Sequence, residues 1–524
     1  MKRVISLFCI PIIFSIWALP TNAVEQRKSW DLSKLTDLNL DQTRYVFGFL
    51  PLTTVQDDYS YTAQVGPIKN FQAVLMPCDQ VKTQDKNYRA CIEEVSYRKT
   101  GRTSWELATL SEFSLSSATS EMSRGVYQVG PISYDPQTTQ PDGDRSSIWW
   151  MKNALHTGGG NYLVRARFLG GTGNQLKFRM KLEVLPISFP RSSKSLSQSE
   201  LAVEEFPEDY EYRVKLRLGV YVKTLTGWFF GRLQDPYIDR NGPLGYIEFA
   251  GKPARVPIGI TDTFSAAEAD KFHDPEWCDT FKRNKKQTFC STGNIFGRKA
   301  FTFTSFEGWK PSELPRWEKS PGGVKTVATL TYWSVDSSYF NDQEYLDKSA
   351  EKCATSIYGA NARIFHGAVF SNSTLFQTAP PQWDSENSSF VFQVAAPHLD
   401  ENGMPNRGFY SLYIPIELAK CRWGEIASNS RAEVQILSEN GRESISTSSV
   451  KVENGNLKFY IDGFGYSSPT IKIKLVNSQV QNLQPVKIAN SENMPQTITC
   501  KKGKLERQIK GTKPKCPKGF KLKN

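Results

Sequence analysis

The sequence predicts a mainly β protein: two to three β-sandwich-like, Ig-like domains with few short helices and a basic C-terminal tail. Three observations lead there. Phe, Tyr and Trp make up 12% of the chain, and aromatic residues favour strands. Apolar and charged residues alternate with a period of two over several stretches, the mark of half-buried strands. Glycine and proline turn signals separate these stretches at short intervals, which argues for sandwiches rather than βαβ units.

Residues 1–23 read as a secretory signal peptide. Lys2 and Arg3 form a basic start, and Ile5 to Trp17 is apolar apart from Ser6, Pro11 and Ser15. The small-residue exit "LPTNA" puts cleavage after Ala23. No later stretch reaches the ~18 uninterrupted apolar residues of a spanning helix. The expectation is an exported protein, secreted and associated with the cell surface or cell wall, without a transmembrane segment.

The N-terminal β domain is expected over 24–190, opening on a polar lead-in at 24–43. Its clearest element is "NYLVRARFLGGTGNQLKFRMKLEVL", residues 161–185. Tyr162, Val164, Ala166 and Phe168 alternate with Arg165 and Arg167. Leu176, Phe178, Met180, Leu182 and Val184 alternate with Lys177, Arg179, Lys181 and Glu183. "GGTGN" between them tolerates positive φ, so the pair reads as a hairpin. Its polar face gathers Arg165, Arg167, Lys177, Arg179 and Lys181. Like charges facing across strands repel, so either acidic neighbours such as Glu183 compensate them or the face meets an anionic partner.

A linker is placed at 191–208, within a stretch rich in Ser, Pro and acids, "PISFPRSSKSLSQSELAVEEFPED". A middle β-rich domain follows over 209–321. It opens on "YRVKLRLGVYV", where Tyr212, Val214, Leu216 and Leu218 face one way and Arg213, Lys215 and Arg217 the other. A C-terminal Ig-like domain spans 322–478 and ends on "PTIKIKLV", with Ile471, Ile473 and Leu475 inward. Short helices are predicted at 343–357 and 416–421. A second linker, 479–499, leads to the basic disulfide-closed tail at 500–524.

Nine cysteines less Cys9 of the signal leave eight, an even number that suits an oxidising compartment. Their positions favour local pairs: Cys78 with Cys91, Cys278 with Cys290, Cys353 with Cys421, and Cys500 with Cys516. None shows CxxC spacing, so zinc ribbons and thioredoxin-type chemistry find no support. No metal or cofactor is expected.

Motifs for chemistry are sparse. Of the four histidines, His156, His273, His366 and His398, none lies in HExxH or HxH, and no G-x-S-x-G elbow accompanies the His398 and Asp400 of "APHLD". "DENGMPN" and "DGDR" offer clustered oxygen ligands without completing a calcium loop. "HTGGGNY" precedes a strand rather than a helix and so makes no phosphate cradle. Trp149 and Trp150 are adjacent, so on a strand one faces away from the core side and could stack on a glycan.

The tail carries the strongest functional signal. Between Lys501 and Asn524 there are ten Lys and Arg residues against the single Glu506. Among them Lys501, Lys502, Lys504, Arg507, Lys510, Lys513, Lys515 and Lys518 are assigned to binding anionic polymers, and the net charge of the whole chain is +12. An exported protein rarely meets nucleic acid as a specific partner. Anionic cell-envelope polymers or glycans are therefore the expected partners.

Three stretches carry a resemblance. "PHLDENGMPNRGFYSLYIPIELAKCRWG", "GFGYSSPTIKIKL" and "ITCKKGKLERQIKGTKPKCPKGFKLK" resemble uncharacterised secreted and cell-surface proteins of actinobacteria. In these a β-rich body ends in a lysine-rich two-cysteine tail. "CIEEVSYRKTGRTSWE" and "LHTGGGNYLV" are similar to their N-terminal half. The resemblance implies export and a cell-surface role, and it brings no activity with it. The chain departs from the pattern in lacking a long Thr/Pro-rich stalk before the tail. Together these features point to a cell-envelope-associated binding or structural module. The alternatives are a secreted polysaccharide-active enzyme of glycoside-hydrolase type, whose two carboxylates no short motif reveals, and a soluble lectin using Trp149 or Trp150.

Overall fold

The computed structural model describes strand 42–47, most of 59–476, and 496–522; residues 1–41, 48–58, 273–299, 304–312, 338–352, 358–364 and 477–495 lie outside the description, with shorter stretches between. The signal peptide and the Cys278–Cys290 pair therefore fall outside the described residues, as does most of the helix predicted at 343–357. The described chain is mainly β, with helices α1 at Glu313–Glu318 and α2 at Ile416–Trp423. The second is the one predicted at 416–421.

Two compact units are present: residues 1–426 with 431–475, and residues 427–430 with 476–524. The larger is built in three layers of strands. The first layer joins Cys91–Lys99, Tyr210–Arg217, the front half of Tyr246–Thr261, and Leu233–Asp239. The middle layer runs from Asn161–Gly171 through Arg179–Ser188, the end of Val324–Ser337, Gly227–Gly231, Phe365–Ser371 and Arg407–Pro415 to Asn456–Gly465. The third layer joins Leu375–Phe376, Ser389–Ala395, Thr470–Val476 and Arg431–Ser438.

Two cores follow, one on each side of the middle layer. Tyr212, Val214 and Leu216 of the first layer pack toward Val164, Leu182, Trp333 and Phe229 of the middle one. On the other side Trp228, Phe230, Leu412 and Phe459 meet Phe392, Ile471 and Ile473 of the third layer. This explains runs such as "GWFFG", in which no alternation is visible: both faces of that strand are dry, so every position is apolar. Its last residue, Gly231, sits where three strands converge. A Cβ there would lie 2.5 Å from the Phe370 ring and 2.7 Å from the Ser334 carbonyl, so only glycine allows the approach.

The linear domain division requires correction. Strand Arg179–Ser188 pairs with Val324–Ser337, Tyr210–Arg217 with Cys91–Lys99, and Gly227–Gly231 with Phe365–Ser371. Each of these pairings crosses an expected boundary, because the two long strands at 246–261 and 324–337 pass from one sheet into the next. Stretch 191–208 is not a linker either. Leu196, Leu201 and Phe206 are buried, and Leu196 pairs in parallel with Leu115 over a small satellite core containing Ile148, Leu163 and Ile187. Three apolar anchors in a polar stretch suffice to dock it, although the average composition reads as a connection.

The smaller unit is a three-stranded antiparallel sheet with Gln496–Lys502 in the centre, flanked by Leu505–Gly511 and Lys521–Leu522. The tail is thus a folded β element rather than a loop, and its first strand begins inside the stretch expected as linker 479–499.

Candidate functional site

The two strands of the predicted hairpin pair antiparallel, in a register that sets Arg165 opposite Glu183 and Arg167 opposite Lys181. Its polar face does not open to solvent, which corrects its assignment as a surface for anionic polymers. Arg165 is 9% exposed and Glu183 8%. Glu183 collects three cations: Arg165 at 2.8 Å, Lys181 at 3.1 Å and Arg167 at 3.5 Å. Arg179 forks onto Asp336, with Nε to Oδ1 at 2.9 Å and Nη2 to Oδ2 at 2.6 Å. Lys177 lies outside the described residues.

The reason is the middle layer itself. Asp336 sits opposite both Lys181 and Phe230, so the charged face continues directly into the apolar face that contributes to the second core. Burial by itself would raise the Glu183 pKa, but Arg165, Lys181 and Arg167 outweigh it and hold the carboxyl well below the usual carboxylate range. Burial lowers the Lys181 pKa, with Glu183 opposing the shift. These charges compensate one another within the fold. Asp336 could not have been picked out in advance, because it comes from a strand more than a hundred residues away in sequence.

The tryptophan pair divides differently from a glycan platform. Trp149 is 8% exposed, belongs to the first core and donates from Nε1 to Ser147 Oγ at 2.7 Å. It offers no stacking face, and Trp150 beside it is half-buried, with Gly160 close against its ring. A tryptophan that sequence reasoning passed over, Trp105, has two guanidinium groups against its ring, Arg98 at 4.3 Å and Arg213 at 4.7 Å from the ring centre. Those arginines are held in turn by Glu211 and Glu94. The signal lies in the alternation of "EEVSYRK" and "YEYRVKLR", whose charged faces pair across strands.

The histidines examined for chemistry serve the backbone. His156 accepts the Gly158 N–H at Nδ1 over 3.1 Å and donates from Nε2 to the Asn161 carbonyl at 3.0 Å, the neutral form. Burial lowers its pKa. Tyr162, packed edge-on to that ring, donates to the Ala154 carbonyl at 2.6 Å. His398 makes its ring contact with the Tyr466 carbonyl, while Asp400 takes the N–H groups of Asn402 and Met404 within its own turn. Among the described residues no group of three or more His, Cys, Asp or Glu could hold a metal ion, and no helix is long and apolar enough to cross a membrane.

Three expected disulfides are formed: Cys78–Cys91, Cys353–Cys421 and Cys500–Cys516. The last closes the small unit. Cys500 is fully buried, whereas Lys501, Lys502, Lys515, Lys518 and Lys521 are exposed. Arg507 and Lys510 are carried on the strand Leu505–Gly511; Lys504 and Lys513 lie outside the described residues. The register sets Lys501 between Glu506 on one neighbour and Lys521 on the other. Where the body's hairpin cations are buried and compensated, those described in the tail unit are open to solvent. Comparison of the chain with protein-family models, curated proteins and solved structures finds no match in any of the three.

Proposed function

We propose that the chain is an exported protein attached to the outside of the cell envelope through its basic C-terminal unit, with the layered β body acting there as a binding or structural module. One observation carries the reading. Ten Lys and Arg residues against one Glu are concentrated in residues 501–524, on a disulfide-closed sheet whose described lysines are exposed. Such a density of uncompensated charge attracts an anionic surface. Paired cysteines in both units support an oxidising exterior.

The test is retention on isolated envelopes across a salt series, for the intact chain and for a chain ending at Val476. The intact chain is expected to bind at low salt and to be released steeply as salt rises, since exposed charges are screened over a Debye length of ~10 Å at 0.1 M. Equal retention of both chains, with no salt dependence, would remove the basis for this reading.

A further inference from the structure

Lys458 lies on strand Asn456–Gly465 of the middle layer, between Arg407–Pro415 on one side and Thr447–Glu453 on the other. Its neighbours Leu457 and Phe459 belong to the second core. Alternation sends the lysine to the opposite face, where Tyr413, paired with it, belongs to the first core. Lys458 is 3% exposed. Its ammonium meets the first layer there: Nζ lies 3.0 Å from Asp235 Oδ1 and 2.6 Å from the Pro236 carbonyl. A second carboxylate, Glu453 Oε2, stands 3.7 Å from the same nitrogen and accepts the Tyr413 hydroxyl at 3.2 Å. Asp235 reaches this place where the pairing of strand Leu233–Asp239 shifts register between Gln234 and Tyr237, and it holds a φ of 45°. Residues other than glycine seldom adopt that conformation.

We propose that Lys458 and Asp235 condense to an intramolecular amide bond, with Glu453 relaying the protons. Nζ bonds to Cγ of Asp235, one Cγ–O bond breaks, and that oxygen leaves as water. Two of the three ammonium protons depart with it. Glu453 takes the first, which frees the nitrogen lone pair for attack, and passes it to the leaving oxygen. An ammonium and a carboxylate thus become an amide and one water, and no oxidant, reductant or activating group is consumed. Between separate molecules in water this condensation is unfavourable. Here the two groups are held in contact, and effective molarities in well-oriented pairs reach about 10⁵–10⁸ M. The ammonium has already given up its hydration, and the neutral product removes a charge from the interior. The Asp235 side chain is 73% exposed, which gives the released water an exit. Lys181 and Glu183 lie as close, at 3.1 Å, but Arg165 and Arg167 hold that carboxylate ionised and its carbon is a poor electrophile. The bond would tie the first layer to the middle one across a sequence separation of 223.

The intact mass of the full-length protein, taken after folding, denaturation and reduction, is the test. It is expected to fall one water below the mass its sequence requires. A tryptic digest should contain a single branched peptide joining the segments around Asp235 and Lys458, with no cleavage after Lys458. On a denaturing gel the looped chain should run ahead of a linear one. Asp235→Gly keeps the positive φ and removes the carboxyl; it should recover the full sequence mass, with circular dichroism reporting that the sheets still form. In a pulse-chase, Glu453→Gln is expected to slow the appearance of the looped form by at least about 100-fold. A parent protein at its full sequence mass has an ion pair there and nothing more, which overturns the proposal. Loss of water that persists in Asp235→Gly arises elsewhere in the chain and overturns it equally. An unchanged rate in Glu453→Gln overturns the relay assigned to Glu453.

Discussion

The hairpin of residues 161–188 and the tail sheet of residues 496–522 both concentrate cations on paired antiparallel strands, and the two sets meet opposite surroundings. In the hairpin the cations turn toward the interior and are gathered by Glu183 and Asp336, with Arg165 and Glu183 each less than a tenth exposed. In the tail Lys501 faces another lysine across the sheet and both are open to solvent. A buried cation needs a carboxylate or well-placed acceptors within the fold, because an isolated charge in a low-dielectric interior is strongly unfavourable. An exposed one is hydrated and remains available to a ligand. The difference lies in what covers the sheet, since the strands follow the same local rules in both places.

The largest effect should come from Glu183→Gln. It leaves Arg165, Arg167 and Lys181 around a neutral amide and is expected to lower unfolding stability by about 3–5 kcal/mol in denaturant titration. Adding Arg165→Met should recover part of that loss, since it removes one of the stranded charges. A Glu183→Gln protein as stable as its parent would mean that the hairpin face is solvated, and the contrast with the tail would disappear.

Opening the tail bridge tests the other half. Cys500→Ser with Cys516→Ser, whose sequence separation is 16, is expected to cost about 3 kcal/mol of stability within that unit. Hydrogen exchange should show lost protection in Gln496–Lys502 and Leu505–Gly511 and unchanged protection in the body strands. Loss spread over the body would mean that the two units unfold together.

Acid should act on the body through the same buried groups. The Glu183 carboxyl has a folded pKa depressed below 4.5, so its stabilisation is present above the unfolded value and is lost as pH falls from 4.5 through the folded value. His156, whose folded pKa lies below 6.5, begins to act earlier: below pH 6.5 the unfolded chain takes up a proton more readily, and stability declines. His156→Asn keeps an acceptor for the Gly158 N–H and removes the titration. It should flatten the slope of melting temperature between pH 6.5 and 5 while leaving the steeper loss below 4.5 in place. An unchanged slope between pH 6.5 and 5 would exclude His156 as its source.

The smallest effect belongs to Lys501→Gln with Lys521→Gln, expected to change thermal stability by no more than about 0.5 kcal/mol, as exposed substitutions usually do. A marked loss of stability would mean that these lysines hold the sheet together, and their availability to a ligand would be in question.

Much of the β architecture was legible in the sequence. The alternation in "RVKLRL", "FRMKLEVL" and "TIKIKL" placed Val214, Leu182 and Ile473 inward, and all three are buried. The pairing of the hairpin strands, helix α2 and three disulfide pairs were legible too, because each depends on residues close in sequence or on a simple spacing. The interleaving of the body was not, because long strands such as Tyr246–Thr261 change sheets partway and average composition does not record where a strand crosses over. Nor was the packing of 191–208, whose three apolar anchors are diluted among serines and acids.

By itself, then, the sequence determined which residues lie on a common face. That is backbone geometry, a period of two imposed by the pleat, and it needs no knowledge of the rest of the chain. Only the tertiary structure decided what each face meets: Asp336 and the apolar middle layer beside Arg179 and Lys181, the first core around Trp149, solvent beside Lys501 and Lys521. Coverage of a face is set by strands hundreds of residues away or by none at all, and with it the dielectric that turns a lysine from a compensated core charge into an exposed one.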